Sequence, residues 1–385
     1  MNPRLWVMLA GLLGFLPIGC EKVPTFQELT GQEGNKNSPV VVNSAAPTVT
    51  PEKAALEIPP IQQSPVTEVP ADVLAALTRQ PGSQLSDREI VRATKVPSLL
   101  TEFKSLDVSR SALTDEGIRL LGHFTELTKM DLSALQMNGT GIEGLEPLGH
   151  LRELVMVSVK IGLSTGWEHL GKLSQVEKLD LSWSNIADAD VPFLITMTGL
   201  KELNISHTSL SDAALVQLAK LENLEILRME NNANLKGDGL KAFIQKKQAP
   251  GLRCLYASST PLSREGLSNL KKIGSLEVFD CSTTQLSDQL LFELKGATNL
   301  KTLTAGNNNL TNAAGLTIKT MRNLENLDLQ QNAMVTLQML GSLSTLTGLS
   351  NLNVTKTGCT LSSVQGFRRT RKKCTVIFDD TSSQQ

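Results

Sequence analysis

The stretches LKELNISHTSL (200–210) and LENLDLQQNAM (324–334) share one spelling, apolar at the first, fourth and sixth places and polar or small at the third, fifth and seventh. The same spelling starts at Phe103, Leu127, Leu151, Val176, Leu200, Leu224, Leu252, Leu276, Leu300, Leu324 and Leu349, with gaps of 24, 24, 25, 24, 24, 28, 24, 24, 24 and 25 residues. Positions one, four and six are apolar in all eleven copies, whereas a chain that is 40% apolar fills about 13 of those 33 places by chance. Apolar residues alternating at four and six predict a short strand with one face inward. A Ser or Thr then opens a short helix by capping its free amides, often with an Asp beside it that suits the positive end of the helix dipole.

One such unit buries about seven large apolar side chains, roughly 10 to 20 kcal/mol gross at about 1.5 to 3 each. Ordering its backbone costs more, at roughly 1 to 2 kcal/mol per residue, so no unit folds alone. Stacking supplies what is missing. The expected architecture is an α/β solenoid whose eleven strands, about 4.8 Å apart, form an inner parallel sheet about 48 Å along its arc.

Over roughly residues 85 to 380 the chain resembles the leucine-rich repeat family, whose pattern is LxxLxLxxNxL. The tails LTDEGI (113–118), LSDAAL (210–215), LSREGL (262–267) and LTNAAGL (310–316) are similar to those of its cysteine-poor bacterial class and of F-box-associated repeats. The resemblance implies a horseshoe with short outer helices, in which positions three, five and seven form a concave binding face and position eight lies at its rim. It also implies a side-chain ladder at position nine, which here reads Ser111, Leu135, Val159, Ser184, Thr208, Asn232, Thr260, Thr284, Asn308, Asn332 and Thr357. Leu135 and Val159 cannot hydrogen-bond, which predicts an interruption at the second and third repeats.

The repeats occupy 103–363. ADVLAAL and LSDREIVRAT, within 71–102, predict an amino-terminal helical cap with a degenerate repeat. Residues 364–385 predict a closing cap and tail, with a helix over Val364 to Lys373 and a strand in CTVIF (374–378). The wide spacing in the sixth repeat predicts a longer helix or loop around Ile244 to Pro250.

Ahead of the repeats, Arg4 precedes the apolar run LWVMLAGLLGFLPI (5–18), too short to span a bilayer and the right length for a signal-peptide core. Residues 1–20 are therefore expected to direct export. Ile18-Gly19-Cys20 resembles the lipobox of bacterial lipoproteins, which implies lipidation at Cys20; Pro17 stands where that motif has Leu, and cleavage without lipidation or an uncleaved anchor are the alternatives. Acyl chains would hold the protein at a membrane surface at about 0.8 kcal/mol per buried methylene. Residues 21–70 carry eight of the sixteen prolines and no Trp or Tyr, a composition that predicts a disordered tether.

The 37 Lys plus Arg against 38 Asp plus Glu give a net charge of −1, which argues against nucleic acid as the main partner. The run RRTRKK (368–373) reads as the solvated end of the capping helix rather than a phosphate or lipid patch. The four histidines are scattered, with only His207 on the rim, and no HExxH, P-loop, GxSxG or paired acid and base emerges. A non-enzymatic protein without cofactor or metal is expected. Cys254 and Cys281 should point to opposite faces; Cys359 and Cys374 read as buried thiols, with a cap disulfide as the alternative.

Asp recurs at position five (Asp107, Asp131, Asp180, Asp280, Asp328) and Ser at position seven, which reads as duplication and a solvated sheet. The middle of the face differs: Val155 and Val157, then Trp183, His207, Arg228, Glu230 and Tyr256, the sole tyrosine. Aromatic and Arg residues central on a polar surface have the composition of a binding hot spot. The expected function is an extracytoplasmic, membrane-tethered repeat protein that binds a protein partner through its concave face. The alternative is a structural or adhesive envelope component similar to internalin-type surface repeats.

Overall fold

The structure, a computed structural model, describes residues 70–78, 85–244 and 251–379. The expectations for the signal peptide, Cys20, most of the tether, the loop around 245–250 and the last six residues lie outside the described residues.

Twelve strands of three residues form one parallel sheet, each paired with the next in chain order from Ser105–Asp107 to Thr375–Ile377. The register has no stagger: Leu106 faces Met130, Leu203 faces Leu227, Leu303 faces Leu327 and Leu352 faces Val376. These position-four side chains, and those at position six, point into one continuous apolar core in which Leu203, Leu227, Leu303 and Leu327 are 0% exposed. The twelfth strand comes from CTVIF, which adds one strand beyond the eleven repeats. The helix before it spans Leu361–Thr370, three residues earlier than the sequence reading, because Thr360 and Ser363 close a capping box there. At the other end, helices Ala71–Thr78, Asp87–Ala93 and Pro97–Glu102 precede the first strand.

Three further ladders tie each turn to the next. The first runs through position eight, where all eleven residues, from Arg110 to Lys356, have left-handed φ of 50 to 61° and none is glycine. This conformation costs roughly 1 to 2 kcal/mol per residue. The N–H it turns outward donates to the following repeat, as from Trp183 to Ser206 O (3.0 Å) and from His207 to Glu230 O (2.9 Å).

The second is the position-nine ladder. Asn232, fully buried, accepts from Thr208 N (2.8 Å) and donates to the carbonyls of Ile205 (2.9 Å) and Met229 (3.1 Å). Asn308 and Asn332 repeat the arrangement. The hydroxyls of Ser111 and Ser184 are buried without a partner, so the polar ladder is shorter than the residue types allow. At Leu135 and Val159 it is interrupted as expected, yet the register of the main sheet is unaffected. A backbone ladder takes its place: Gln136–Met137 pairs in parallel with Lys160–Ile161. Asn185 ends this small sheet, accepting from Ile161 N (3.0 Å) and donating to Ile161 O (2.9 Å) as a neighbouring strand would.

The third ladder lies on the helix side and corrects the reading of the Asp next to each cap. Asp87 accepts from Thr114 N and Oγ1 (2.9 and 2.5 Å), and Asp288 from Thr311 N and Oγ1 (3.0 and 2.6 Å). Asp115 accepts from the amides of Asn138, Gly139 and Gly141. These carboxylates hold the cap of the following repeat, a stronger demand on Asp than the dipole of a single turn.

Asn232→Ala leaves the Thr208 amide without its acceptor and takes one donor each from the carbonyls of Ile205 and Met229, which keep Thr208 Oγ1 and Thr260 Oγ1, and we expect it to lower unfolding free energy by about 2 kcal/mol. Asn185→Ala, at an exposed edge, should cost about 1 kcal/mol. Urea unfolding followed by circular dichroism measures both; equal shifts, or none, would contradict the assignment.

Candidate functional site

Position five is where the sheet face is built. Asp107, Asp131, Asp180, Asp280 and Asp328 each accept, through Oδ1, the N–H two residues on (2.8 to 2.9 Å). Asn204 and Asn353 do the same at 3.0 Å. The side chain closes the strand end locally, freeing the backbone to enter the left-handed turn at position eight. The recurrent Asp is thus a turn residue in its own right and more than a solvated row.

Burial makes five carboxylates of the face harder to ionise. It is the largest influence on Asp131, Asp180, Glu202, Glu230 and Asp328, and raises each above its usual range, Asp328 to about 6. Eight carboxylates stand on positions three, five and seven of the eleven repeats against three cations, Lys129, Lys178 and Arg228, a formal charge of −5.

Of the seven residues singled out from the sequence, the structure brings five into two neighbouring groups. Trp183 and His207, at position eight of adjacent repeats, stack with ring centroids 3.8 Å apart and planes 12° from parallel. Trp183 is 46% exposed and His207 half-buried; burial lowers the His207 pKa, favouring the neutral ring. In the second group the Arg228 guanidinium carbon lies 4.1 Å from the centre of the Tyr256 ring. Its nitrogens reach Glu202 Oε1 (3.5 Å) and Glu230 Oε1 (3.8 Å). Burial alone would depress the Arg228 pKa, but the nearby Tyr256, Glu230 and Glu202 outweigh it and raise the value. Glu230 also accepts from Ser206 Oγ, and its own N–H donates to that hydroxyl at 3.1 Å, which connects this group to the repeat of His207.

Val155 and Val157 do not form the exposed apolar patch expected of them. Val155 is 7% exposed, set between Asp131 and Asp180 on the adjoining strands, and Val157 is half-buried. Tyr256 is likewise buried, at 7%. Strands only about 4.8 Å apart let neighbouring side chains cover a mid-strand residue, so position on the face does not guarantee exposure.

Glu202, Lys178 and the position-two row escaped the sequence reading. Arg253 bridges Glu225 (3.4 Å) and Glu277 (3.1 Å), and Glu277 continues to Lys301 (3.2 Å). Lys201 meets Glu177 at 2.8 Å one section earlier. The signal was present as alternating sign at the repeat spacing of 24 to 28 residues, and it becomes visible only once the register stacks those positions. All four described cysteines are unbonded and buried, Cys359 and Cys374 among them. Among the described residues no helix is long and apolar enough to cross a membrane, and no group of three or more His, Cys, Asp or Glu is placed to hold a metal ion.

A family model described as Leucine Rich repeat matches residues 101–122. Among solved structures, TLR13 in a TLR13–ssRNA13 complex aligns with 18% identity and a TM-score of 0.50, covering 74% of this chain and 44% of that one. An internalin (inlF) from Listeria monocytogenes aligns with 17% identity and a TM-score of 0.48, covering 81% and 98%. No curated protein matches the sequence. The described unit has the α/β leucine-rich repeat solenoid fold.

Asp328 gives a pH test of the buried row. Its folded-state pKa lies above the ordinary 3.8, so the folded form binds the proton more tightly than the unfolded chain. The site therefore favours folding most below about pH 4 and loses about 3 kcal/mol as pH rises through 6. Asp328→Asn, which keeps the turn as Asn204 and Asn353 do, should be about as stable as the parent at pH 4 and more stable by about 2 kcal/mol at pH 8. Urea midpoints at the two pH values measure this; a variant no more stable than the parent at pH 8 refutes it.

Proposed function

We propose that the chain is an exported, membrane-tethered recognition module that binds another protein through the solvent side of its parallel sheet. The carrying observation is the exposed Trp183 stacked on His207: a large aromatic held in a left-handed turn, beside an Arg–Tyr–Glu group, on a face otherwise built from Asp, Asn and Ser. Rigid aromatic anchors of this kind carry most of the energy at protein interfaces, and the stacked repeats present them without an ordering cost on binding. The resemblance of Ile18-Gly19-Cys20 to a lipobox supports export and lipid attachment, and the proline-rich stretch after it supports a spacer between membrane and repeats. Leucine-rich repeat proteins are in general interaction scaffolds, which supports a non-enzymatic role.

Crosslinking in intact cells carrying the full chain tests the reading. Trp183→Ala should weaken capture of the partner by at least about 2 kcal/mol, some thirtyfold. Equal capture by the folded variant and the parent would move the interface elsewhere and favour a structural envelope role with weak, multivalent contacts. In the same cells Cys20→Ser should shift the protein from the detergent to the aqueous phase on phase partition; unchanged partition rejects lipid attachment.

A further inference from the structure

The sheet face already shows how it holds a cation. Arg228 lies over the ring of Tyr256 with Glu202 and Glu230 at its nitrogens, an aromatic floor with carboxylate walls supplied within the chain. Two strands from Arg228 toward the amino terminus, Trp183 offers a second aromatic face, 46% exposed, and no described cation lies over it. Asp180 ends the strand Lys178–Asp180 three residues before it, and Trp183 N–H donates to Ser206 O, the residue whose hydroxyl bonds Glu230. Positions three, five and seven carry −5, and −3 once Arg110 and Lys356 at the rim position are counted, against −1 for the whole chain.

Resting on the protein-binding reading above, we propose that the occupant of this face is a basic segment of a partner protein, with one Lys or Arg side chain stacked on Trp183 and its neighbours lying over Asp180, Glu202 and Glu230. A guanidinium or ammonium over a Trp face is favoured by the ring quadrupole, and most strongly when water is excluded. A basic partner supplies the opposing charge, speeds encounter through the long-range field and excludes anionic competitors.

The test uses the full chain and a fluorescein-labelled decapeptide of alternating Arg and Gly, followed by fluorescence anisotropy. Parallel arms replace each Arg with Glu, or use a ten-nucleotide oligouridine. The Arg peptide should bind, at least tenfold more weakly in 300 mM than in 30 mM salt, and neither the Glu peptide nor the RNA should bind. Trp183→Ala should raise Kd at least tenfold, and Asp180→Asn, at a position where Asn serves the same turn in Asn204 and Asn353, at least threefold. Glu222→Gln, an exposed change outside the sheet, should leave Kd unchanged. Circular dichroism verifies that each variant is folded.

No binding by the Arg peptide, binding that folded Trp183→Ala retains, or Trp183-dependent binding of the Glu peptide or RNA would each overturn the proposal. If the peptide fails while Trp183→Ala still abolishes partner capture in cells, the face binds a protein that is not basic and only this inference falls. If both fail, the protein-binding reading falls with it.

Discussion

A three-residue strand cannot satisfy its own backbone. Each turn of this chain leaves amides and carbonyls that only the next turn can pair, and the rest of the structure follows from meeting that demand about every 24 residues. The strand ladder meets part of it. The position-eight amides, the position-nine side chains and the Asp residues at the helix starts meet the remainder, and each reaches forward or back by one repeat. Where one device is missing another takes over: Leu135 and Val159 remove the polar ladder, and the short pairing of Gln136–Met137 with Lys160–Ile161 restores a backbone one. The apolar core could tolerate many registers of stacked leucines. The hydrogen bonds tolerate one.

That division explains what was legible in the sequence. Positions one, four and six face a core on every turn, so their demand is purely apolar and repeats in every copy; the solenoid, its parallel sheet and the closing strand in CTVIF could be read from them. The left-handed turn at position eight left no such trace, because Arg110, Ala134, Trp183, Asn307 and Lys356 occupy it alike and no glycine marks it. Asp at position five looked like a solvated row because its partner, the N–H two residues on, is invisible without the backbone path. The alternating charges at position two were spelled out but meaningless until the register brought Arg253 between Glu225 and Glu277.

The candidate site was read less completely, for a related reason. A residue's position in the repeat tells which way it points and not how far its neighbours cover it. Trp183 and His207 project from the turn at the rim, and they stack in the open. Val155 and Tyr256 sit mid-strand between close neighbours and are covered. Among the described residues the face therefore combines one exposed aromatic stack with an internal Arg–Tyr pair.

Amide hydrogen exchange on the intact chain tests most directly whether hydrogen bonding between turns holds the molecule together. The position-eight amides of Trp183, His207, Asn231 and Gln331 lie at a rim open to solvent, and nothing but the next repeat's carbonyl protects them. They should exchange as slowly as strand amides such as those of Leu203 and Leu327. Exchange at rates near those of an unfolded peptide, with the strand amides still protected, would contradict the account.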